Sequence, residues 1–266
     1  MKAEFSNLVR KLGVINAVDN MLYTYKRVQN SKVNKAFKKE YPDVPLPPDY
    51  LMYESFGINY KTYFLDSQEA AKELASLFAK HIQLKNANIL DWGCGPGRLI
   101  RHMPKAIGNG CKYYGTDYNK DSIAWCSENL PEIKFNHNGI EAQLPYEDNQ
   151  MDVIYGISIF THLSPDSHYD WYKELYRVLK PGGIMLLTMQ GDNFKAKLTE
   201  EERKEFDKNH LVVRGYNKDG HRLYSAFHPK AFVERLFTGV EILEHIVKEP
   251  KPGGAIPQDI WLVKKA

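Results

Sequence analysis

Apolar positions along the chain follow two spacings. From Phe5 to Val28, residues Phe5, Leu8, Leu12, Ile15, Val18, Leu22 and Tyr25 recur every three or four positions, which predicts an amphipathic helix. The stretch Tyr41-Pro-Asp-Val-Pro-Leu-Pro-Pro48 cannot continue it. Each proline lacks an N–H and pushes its predecessor to extended backbone, so this stretch predicts a linker. Helical spacing returns over Ser67–His81 through Ala70, Ala71, Leu74, Leu77 and Phe78. Strands are then predicted at 89–92, 112–116, 133–136, 152–159, 184–189, 240–247 and 260–263, with helices at 98–106, 121–129, 165–179 and 229–237 between them. Such alternation gives right-handed crossovers and a mostly parallel seven-stranded sheet covered on both faces. The turn Lys180-Pro-Gly-Gly183 ends one helix and feeds the next strand. Residues 192–228 break the pattern with a charged helix, Thr199–Lys208, and a hairpin around Asn217-Lys-Asp-Gly220, which marks an insertion after the fifth strand. The expected organisation is a helical, lid-like segment with its linker over 1–65, then an α/β domain over 66–266.

Composition narrows this picture only slightly. The 266 residues carry 36 Lys and Arg against 33 Asp and Glu, a net charge of +3 that names no partner and gives no reason to expect nucleic acid. Residues 1–40 are locally basic, with nine Lys or Arg against Glu4, Asp19 and Glu40, an excess of 9 − 3 = +6. A basic amphipathic helix suits either a solvated outer face or an anionic surface, membrane or acidic acceptor. No apolar run approaches the roughly 20 residues of a membrane span, and Arg10, Lys11, Asp19 and Asn20 interrupt any signal-peptide core. Cys94, Cys111 and Cys126 form no C-x-x-C pair, which argues against a zinc site or a disulfide framework. A cytoplasmic, metal-free protein is the expectation.

The chemistry concentrates in Ile89-Leu-Asp-Trp-Gly-Cys-Gly-Pro-Gly-Arg98. Gly93, Gly95 and Gly97 lie between a strand and a helix, where absent side chains let a ligand approach the backbone. A dinucleotide fingerprint would place its third glycine at Arg98, and Asp91 before the loop is a poor neighbour for pyrophosphate but a good one for an ammonium group. That argues against a dehydrogenase. The second strand ends in Asp117, 117 − 97 = 20 residues after the last glycine, the interval at which such an acid takes ribose hydroxyls. An ordinary tight turn, and an Asp117 that caps the following helix, are the plainer readings of the two features taken singly.

These residues resemble the class I S-adenosylmethionine-dependent methyltransferases over roughly 87–190, and more weakly to the C-terminus. The resemblance implies a Rossmann-like, doubly wound α/β fold and S-adenosyl-L-methionine as cofactor. It implies that Asp91, Gly93, Cys94, Gly95 and Gly97 hold the methionine part, that Asp117 lies at the ribose with Tyr118 also at the cofactor, and that Asn138-Gly139-Ile140 lies at the adenine. Many members have Asp where this chain has Asn138, whose amide oxygen can still accept from the adenine amine. The likeness is closer to a bacterial subgroup with a GCGPGR-type loop, a stretch like Ser158-Ile-Phe-Thr-His-Leu163, an Arg177-Val-Leu-Lys-Pro-Gly-Gly183 run, an Ala226-Phe-His-Pro229 element and a late Gln258-Asp259 pair. It places Ser158 at the cofactor rim. In similar enzymes the segment before the first strand lids the cofactor, so Gly57 and Tyr63, from the aromatic group Tyr53, Phe56, Tyr60, Tyr63 and Phe64, are expected to face it; a core role is the alternative for those aromatics.

Methyl transfer from a sulfonium needs alignment and exclusion of water rather than a metal. A hydroxyl acceptor adds the need for a base. His162, just past the fourth strand, is the first candidate, His228 the second and Asp259 the third; helix capping or packing, a turn position, and a buried hydrogen-bonded carboxylate are the respective alternatives. The reading is a methyltransferase of a small-molecule or glycan acceptor, acting on oxygen with nitrogen as the alternative, and with an anionic acceptor favoured by the basic N-terminus. The competing reading is a non-catalytic cofactor-binding module that docks a partner through that helix.

Overall fold

The computed structural model describes residues 15–108, 110–215 and 219–266. Phe5, Leu8 and Leu12 of the first expected helix, and Asn217 and Lys218 of the expected hairpin turn, lie outside them. The main strands are β1 (Asn88–Trp92), β2 (Lys112–Asp117), β3 (Lys134–His137), β4 (Met151–Gly156), β5 (Leu179–Met189), β8 (Val240–Ile246) and β9 (Asp259–Lys265), with β6 (Val212–Arg214) and β7 (Ser225–Phe227) in the insertion. The seven-stranded sheet has the order β3-β2-β1-β4-β5-β9-β8. Pairs β1–β2, β2–β3 and β4–β5 are parallel, and β9 runs antiparallel to both its neighbours, so the sheet is mostly parallel and Rossmann-like, as expected. The chain divides into two compact units, one ending at Asn138 and the other covering Gly139–Ala266.

In the first unit, helix α1 spans Ile15–Glu40 and continues twelve residues past the expected end at Val28. The apolar spacing fades there, but nothing breaks the backbone ladder until Pro42, and Lys38 and Lys39 in the last turn complement the helix dipole. Residues 41–48 are non-helical, and α2 (Asp49–Ser55) follows. Phe37, Met52, Tyr53, Ile58, Tyr60 and Tyr63 pack into one cluster. Asn34 is buried among them with both polar atoms bonded: its Nδ2 donates to the Ile58 carbonyl at 2.7 Å and its Oδ1 accepts from Tyr60 N–H at 3.0 Å. A π-type turn at Thr62–Asp66 leads into α3 (Ser67–Ala79). The helix expected at 98–106 is instead a 3₁₀ turn, Ile100–His102, and a short α4, Met103–Ile107. Pro104 is the reason: without an N–H it fits only the first turn of a helix, which therefore restarts there. Helix α5 covers Lys120–Asn129.

In the second unit, α6 (Pro165–Val178) joins β4 to β5. The Lys180–Gly183 turn does not precede β5 but lies within it, as a bulge. Met151 pairs with Leu179 while Val153 pairs with Ile184. Gly182 takes φ +76°, and a Cβ on Gly183 would come within 3.0 Å of the Asp152 carbonyl. The insertion carries α7 (Glu200–Asp207), entered through a Thr199/Glu202 capping box, and the antiparallel β6–β7 pair. It has its own small core of Phe194, Leu198, Phe206, Val212 and Phe227. Helix α8 (Lys230–Leu236) leads to β8. Among the described residues, no helix is long and apolar enough to cross a membrane, and no group of three or more His, Cys, Asp or Glu could hold a metal ion.

Candidate functional site

The glycine loop leaves β1 at Trp92 and is held to β2 by backbone bonds from Gly93 N–H and Cys94 N–H to the Thr116 carbonyl, at 2.8 and 3.0 Å. Gly93, Gly95 and Gly97 have φ of +74°, +52° and +73°, a conformation side chains rarely adopt. A Cβ on Gly97 would also lie 2.8 Å from Leu130 Cδ1, and one on Gly95 would lie 3.0 Å from Ser55 Cβ. Asp91 is buried at the end of β1. The Cys94 and Cys126 thiols are buried beneath the loop, and burial pushes Cys94 well up and Cys126 to about 12, so both stay protonated.

Asp117 ends β2 and closes this half-site. Its Oδ2 accepts from Gly95 N–H at 2.8 Å and its Oδ1 from Asn119 N–H at 2.8 Å. Burial pushes the carboxyl up, and these two N–H donors hold it back. Asn119, not Asp117, caps α5, accepting from the N–H groups of Asp121 and Ser122 at 3.0 and 3.1 Å. The capping role that would have explained Asp117 away therefore belongs to its neighbour. Asn138 follows β3 and is buried. Its amide oxygen accepts from the Thr116 hydroxyl at 2.6 Å. Tyr118 is exposed, and its carbonyl lies 3.0 Å from His137 Nε2.

The N-terminal segment builds on the same loop. The Tyr63 hydroxyl, fully buried, donates to the Pro96 carbonyl at 3.0 Å, so this residue props the glycine loop from behind. Glu54 accepts from Asn119 Nδ2 at 3.2 Å, and Ser55 packs on Gly95. Gly57 ends α2, its N–H bonded to the Met52 carbonyl at 2.8 Å. Of the aromatic group, Tyr53 and Tyr60 are core, Phe64 packs against it, and Phe56 is exposed beneath the Arg98 guanidinium at 4.1 Å.

In the second unit the polar residues gather at the carboxyl ends of β4 and β5. Ser158 has φ +68°, an uncommon conformation for a residue with a side chain. It is fixed by a closed ring: its N–H donates to Thr188 Oγ1 at 2.7 Å, Thr188 Oγ1 donates to Gln258 Oε1 at 2.6 Å, and Gln258 Nε2 returns to Ser158 Oγ at 2.7 Å. His162 lies in the 3₁₀ turn Phe160–His162. Its Nδ1 meets the Tyr224 carbonyl at 2.8 Å; a carbonyl only accepts, so the proton sits on Nδ1 and Nε2 carries a lone pair. Burial holds this imidazole below its ordinary value and therefore neutral.

Residues 219–224, ahead of β7, clasp this turn. Gly220 N–H donates to the His162 carbonyl at 2.8 Å. Asp219 accepts from Ser164 N–H and Ser164 Oγ, each at 2.7 Å, and from the Ser167 hydroxyl, at the first turn of α6. His228 is fully buried and its partner is His168. His168 Nδ1–H donates to the Ser164 carbonyl at 2.7 Å, so its Nε2 accepts from His228 Nε2–H at 2.9 Å and His228 Nδ1 is left without a hydrogen bond. Burial lowers His168 to about 4 and His228 well below its ordinary value.

Asp259 is buried at the start of β9, where its Oδ2 meets His245 Nε2 at 2.9 Å and its Oδ1 has no partner. Burial raises its carboxyl, and His245, stacked 3.7 Å over Trp261, pulls it back. His168, Asp219 and His245 were not singled out from sequence, since their partners are set by the fold. Ile140 is exposed, and its carbonyl accepts from Trp171 Nε1 at 3.2 Å on the wall of a cleft of about 810 Å³ along α6. None of the histidines above lines that cleft.

Residues 89–183 match the family model described as the methyltransferase domain. The chain is 30% identical over 156 residues to phthiotriol/phenolphthiotriol dimycocerosates methyltransferase 1 of Mycobacterium ulcerans, covering 54% of this chain and 55% of that protein. It is 28% identical over 186 residues to a tRNA N(3)-methylcytidine methyltransferase of Schizosaccharomyces pombe, covering 66% and 59%. The chain thus spans a little over half the length of these curated relatives. Among solved structures, the magnesium protoporphyrin IX methyltransferase of Synechocystis PCC 6803, with bound SAH, superposes with a TM-score of 0.55 at 14% identity, over 91% of this chain and 99% of that one. The fold is shared across these distances.

Proposed function

We propose that this chain, which carries a methyltransferase domain on a class I methyltransferase fold, is an S-adenosylmethionine-dependent methyltransferase acting on a hydroxyl of a small-molecule or glycan acceptor. The observation that carries the reading is the bond from Gly95 N–H to Asp117 Oδ2, which joins the side-chain-free loop and the ribose-type acid in one half-site. The residues present fit the cofactor: Gly93, Gly95 and Gly97 hold a positive φ that side chains rarely adopt, which leaves the loop backbone bare, and Asp117 keeps carboxylate lone pairs beyond its two N–H bonds. Asp91, Gly93, Cys94, Gly95 and Gly97 would hold the amino-acid end, Asp117 the ribose, with Tyr118 also at the cofactor, and Asn138, Gly139 and Ile140 the adenine, with Ser158 at the rim. The bound cofactor supplies an activated methyl group.

The protein's own work is alignment, exclusion of water and removal of the hydroxyl proton. His162 is the preferred base, because its Nδ1–H is committed to Tyr224 and its neutral Nε2 can accept. His228 is buried against His168 and suits a supporting role, and Asp259 has one oxygen committed to His245. The packing of Ser55 on Gly95 and the Glu54–Asn119 bond support a lid role for the segment before β1.

Titration calorimetry with S-adenosylhomocysteine, followed by a methyl-transfer screen over small molecules, glycans and tRNA, tests the reading. Binding with turnover on a hydroxyl acceptor is expected. Transfer to tRNA alone would overturn the acceptor class, binding without turnover on any acceptor would favour the docking module, and absence of binding would overturn the reading altogether.

A further inference from the structure

Helix α1 has two faces with opposite fates. One face packs: Tyr23 lies against Tyr50 and Tyr53, and Asn34 and Phe37 are buried. Outward from it, Val18, Met21, Leu22, Tyr25 and Val28 form a stripe at three- and four-residue steps, exposed at 45, 74, 43, 59 and 71%. The same spacing continues along the helix through Lys32, Lys35 and Lys39, all exposed. The outward face is therefore apolar over its first half and cationic over its second. Scattered exposed apolar residues are ordinary, but five in one stripe, continued by lysines, are not.

We propose that this face docks on an anionic lipid surface, the apolar half entering the boundary of headgroups and acyl chains and the lysines meeting lipid phosphates. The charge pattern separates this occupant from a second copy of the chain. Parallel packing on this face would set lysines against lysines, and antiparallel packing would set them against the apolar half. Acidic groups do not offset the lysines: Asp19 is turned to the packed face, where its Oδ1 accepts from the Tyr53 hydroxyl at 2.9 Å, and Glu40 is the last helical residue. The inference is independent of the methyl-transfer reading.

The test is co-sedimentation of the full chain with vesicles of phosphatidylcholine alone and of phosphatidylcholine mixed with phosphatidylglycerol. Retention on the mixed vesicles only is expected. It should fall roughly tenfold or more in a Met21→Gln/Val28→Gln variant and in a Lys32→Gln/Lys35→Gln/Lys39→Gln variant, and with raised salt. Both variants alter exposed side chains, and circular dichroism and urea unfolding check that the fold is kept. Absence of retention on mixed vesicles, or retention unchanged in either variant, overturns the proposal. So does a dimer in sedimentation velocity that the Met21/Val28 variant dissolves, since that assigns the stripe to a second copy.

Discussion

The Gly95 N–H lies 2.8 Å from Oδ2 of Asp117, a bond across 22 residues that ties the loop after β1 to the end of β2. Asp117→Ala removes the loop's anchor and the charged acceptor for ribose together. Loss of hydrogen bonds to a charged group costs about 1.5–3 kcal/mol, so the dissociation constant for S-adenosylhomocysteine should rise roughly 10- to 150-fold. Calorimetry on the folded variant reads this directly, and an unchanged constant would sink the ribose assignment.

Asn119 supplies the contrast. Its Oδ1 caps α5, and Asn119→Ala should lower unfolding free energy by about 1 kcal/mol while weakening cofactor binding less than Asp117→Ala does. Urea unfolding and calorimetry on both variants would expose any exchange of roles.

These two neighbours show where sequence reading succeeds and where it stops. The placement of the glycines after the first strand and of Asp117 at the end of the second was legible because spacing after a strand is local, and the sheet was legible because its strands carry short apolar runs. The distribution of roles between Asp117 and Asn119 was not, since both types cap helices. His168 with His228 is a contact across 60 residues, and Asp219 with Ser164 one across 55. Such pairs exist only once β4, α6 and the insertion are in place. The bulge in β5 was read as an ordinary turn because Pro-Gly-Gly gives the same local signal in either setting.

The buried His168–His228 pair makes stability depend on pH. His168 is neutral in the fold, with its value lowered from 6.5 to about 4, but it protonates near 6.5 when the chain unfolds. Its contribution is whole above about 6.5, declines as pH falls, and levels off below about 4. At 1.36 kcal/mol per pH unit, His168 alone gives a loss of about 2 kcal/mol between about pH 7 and pH 5. Denaturant unfolding across this range should show the fall, and His168→Gln should flatten it; a flat profile in the parent would show that the pair is not held neutral.

For His162 the expected outcome is kinetic. With a hydroxyl acceptor, His162→Gln should lower kcat by about 10²–10⁴-fold and leave S-adenosylhomocysteine affinity nearly unchanged. Because burial holds this imidazole below its ordinary value, the parent should keep activity at pH values where a free imidazole is already protonated. A variant within a few-fold of the parent would leave alignment alone, or Asp259, as the better account.

Gly191 sits directly against the Asp259 carboxylate, where a Cβ would overlap both oxygens. Gly191→Ala should therefore cost about 1–3 kcal/mol of stability, the range for overpacking, and disturb the His245 contact. Thermal unfolding that matches the parent would mean Asp259 moves freely, contrary to its burial at 3% exposure.

The clasp formed by Asp219, Gly220 and Tyr224 around His162 and the start of α6 bears on how this scaffold can be re-engineered. Loops added to a rigid scaffold usually carry recognition, which makes the insertion after the fifth strand the natural segment to transplant. Here a donor segment cut at its visible edges would take away the imidazole's tautomer lock and the carboxylate that holds Ser164, the N-cap of α6. A working chimera has to treat residues 219–224 as belonging to the host, or import 158–167 together with the insertion as a matched half.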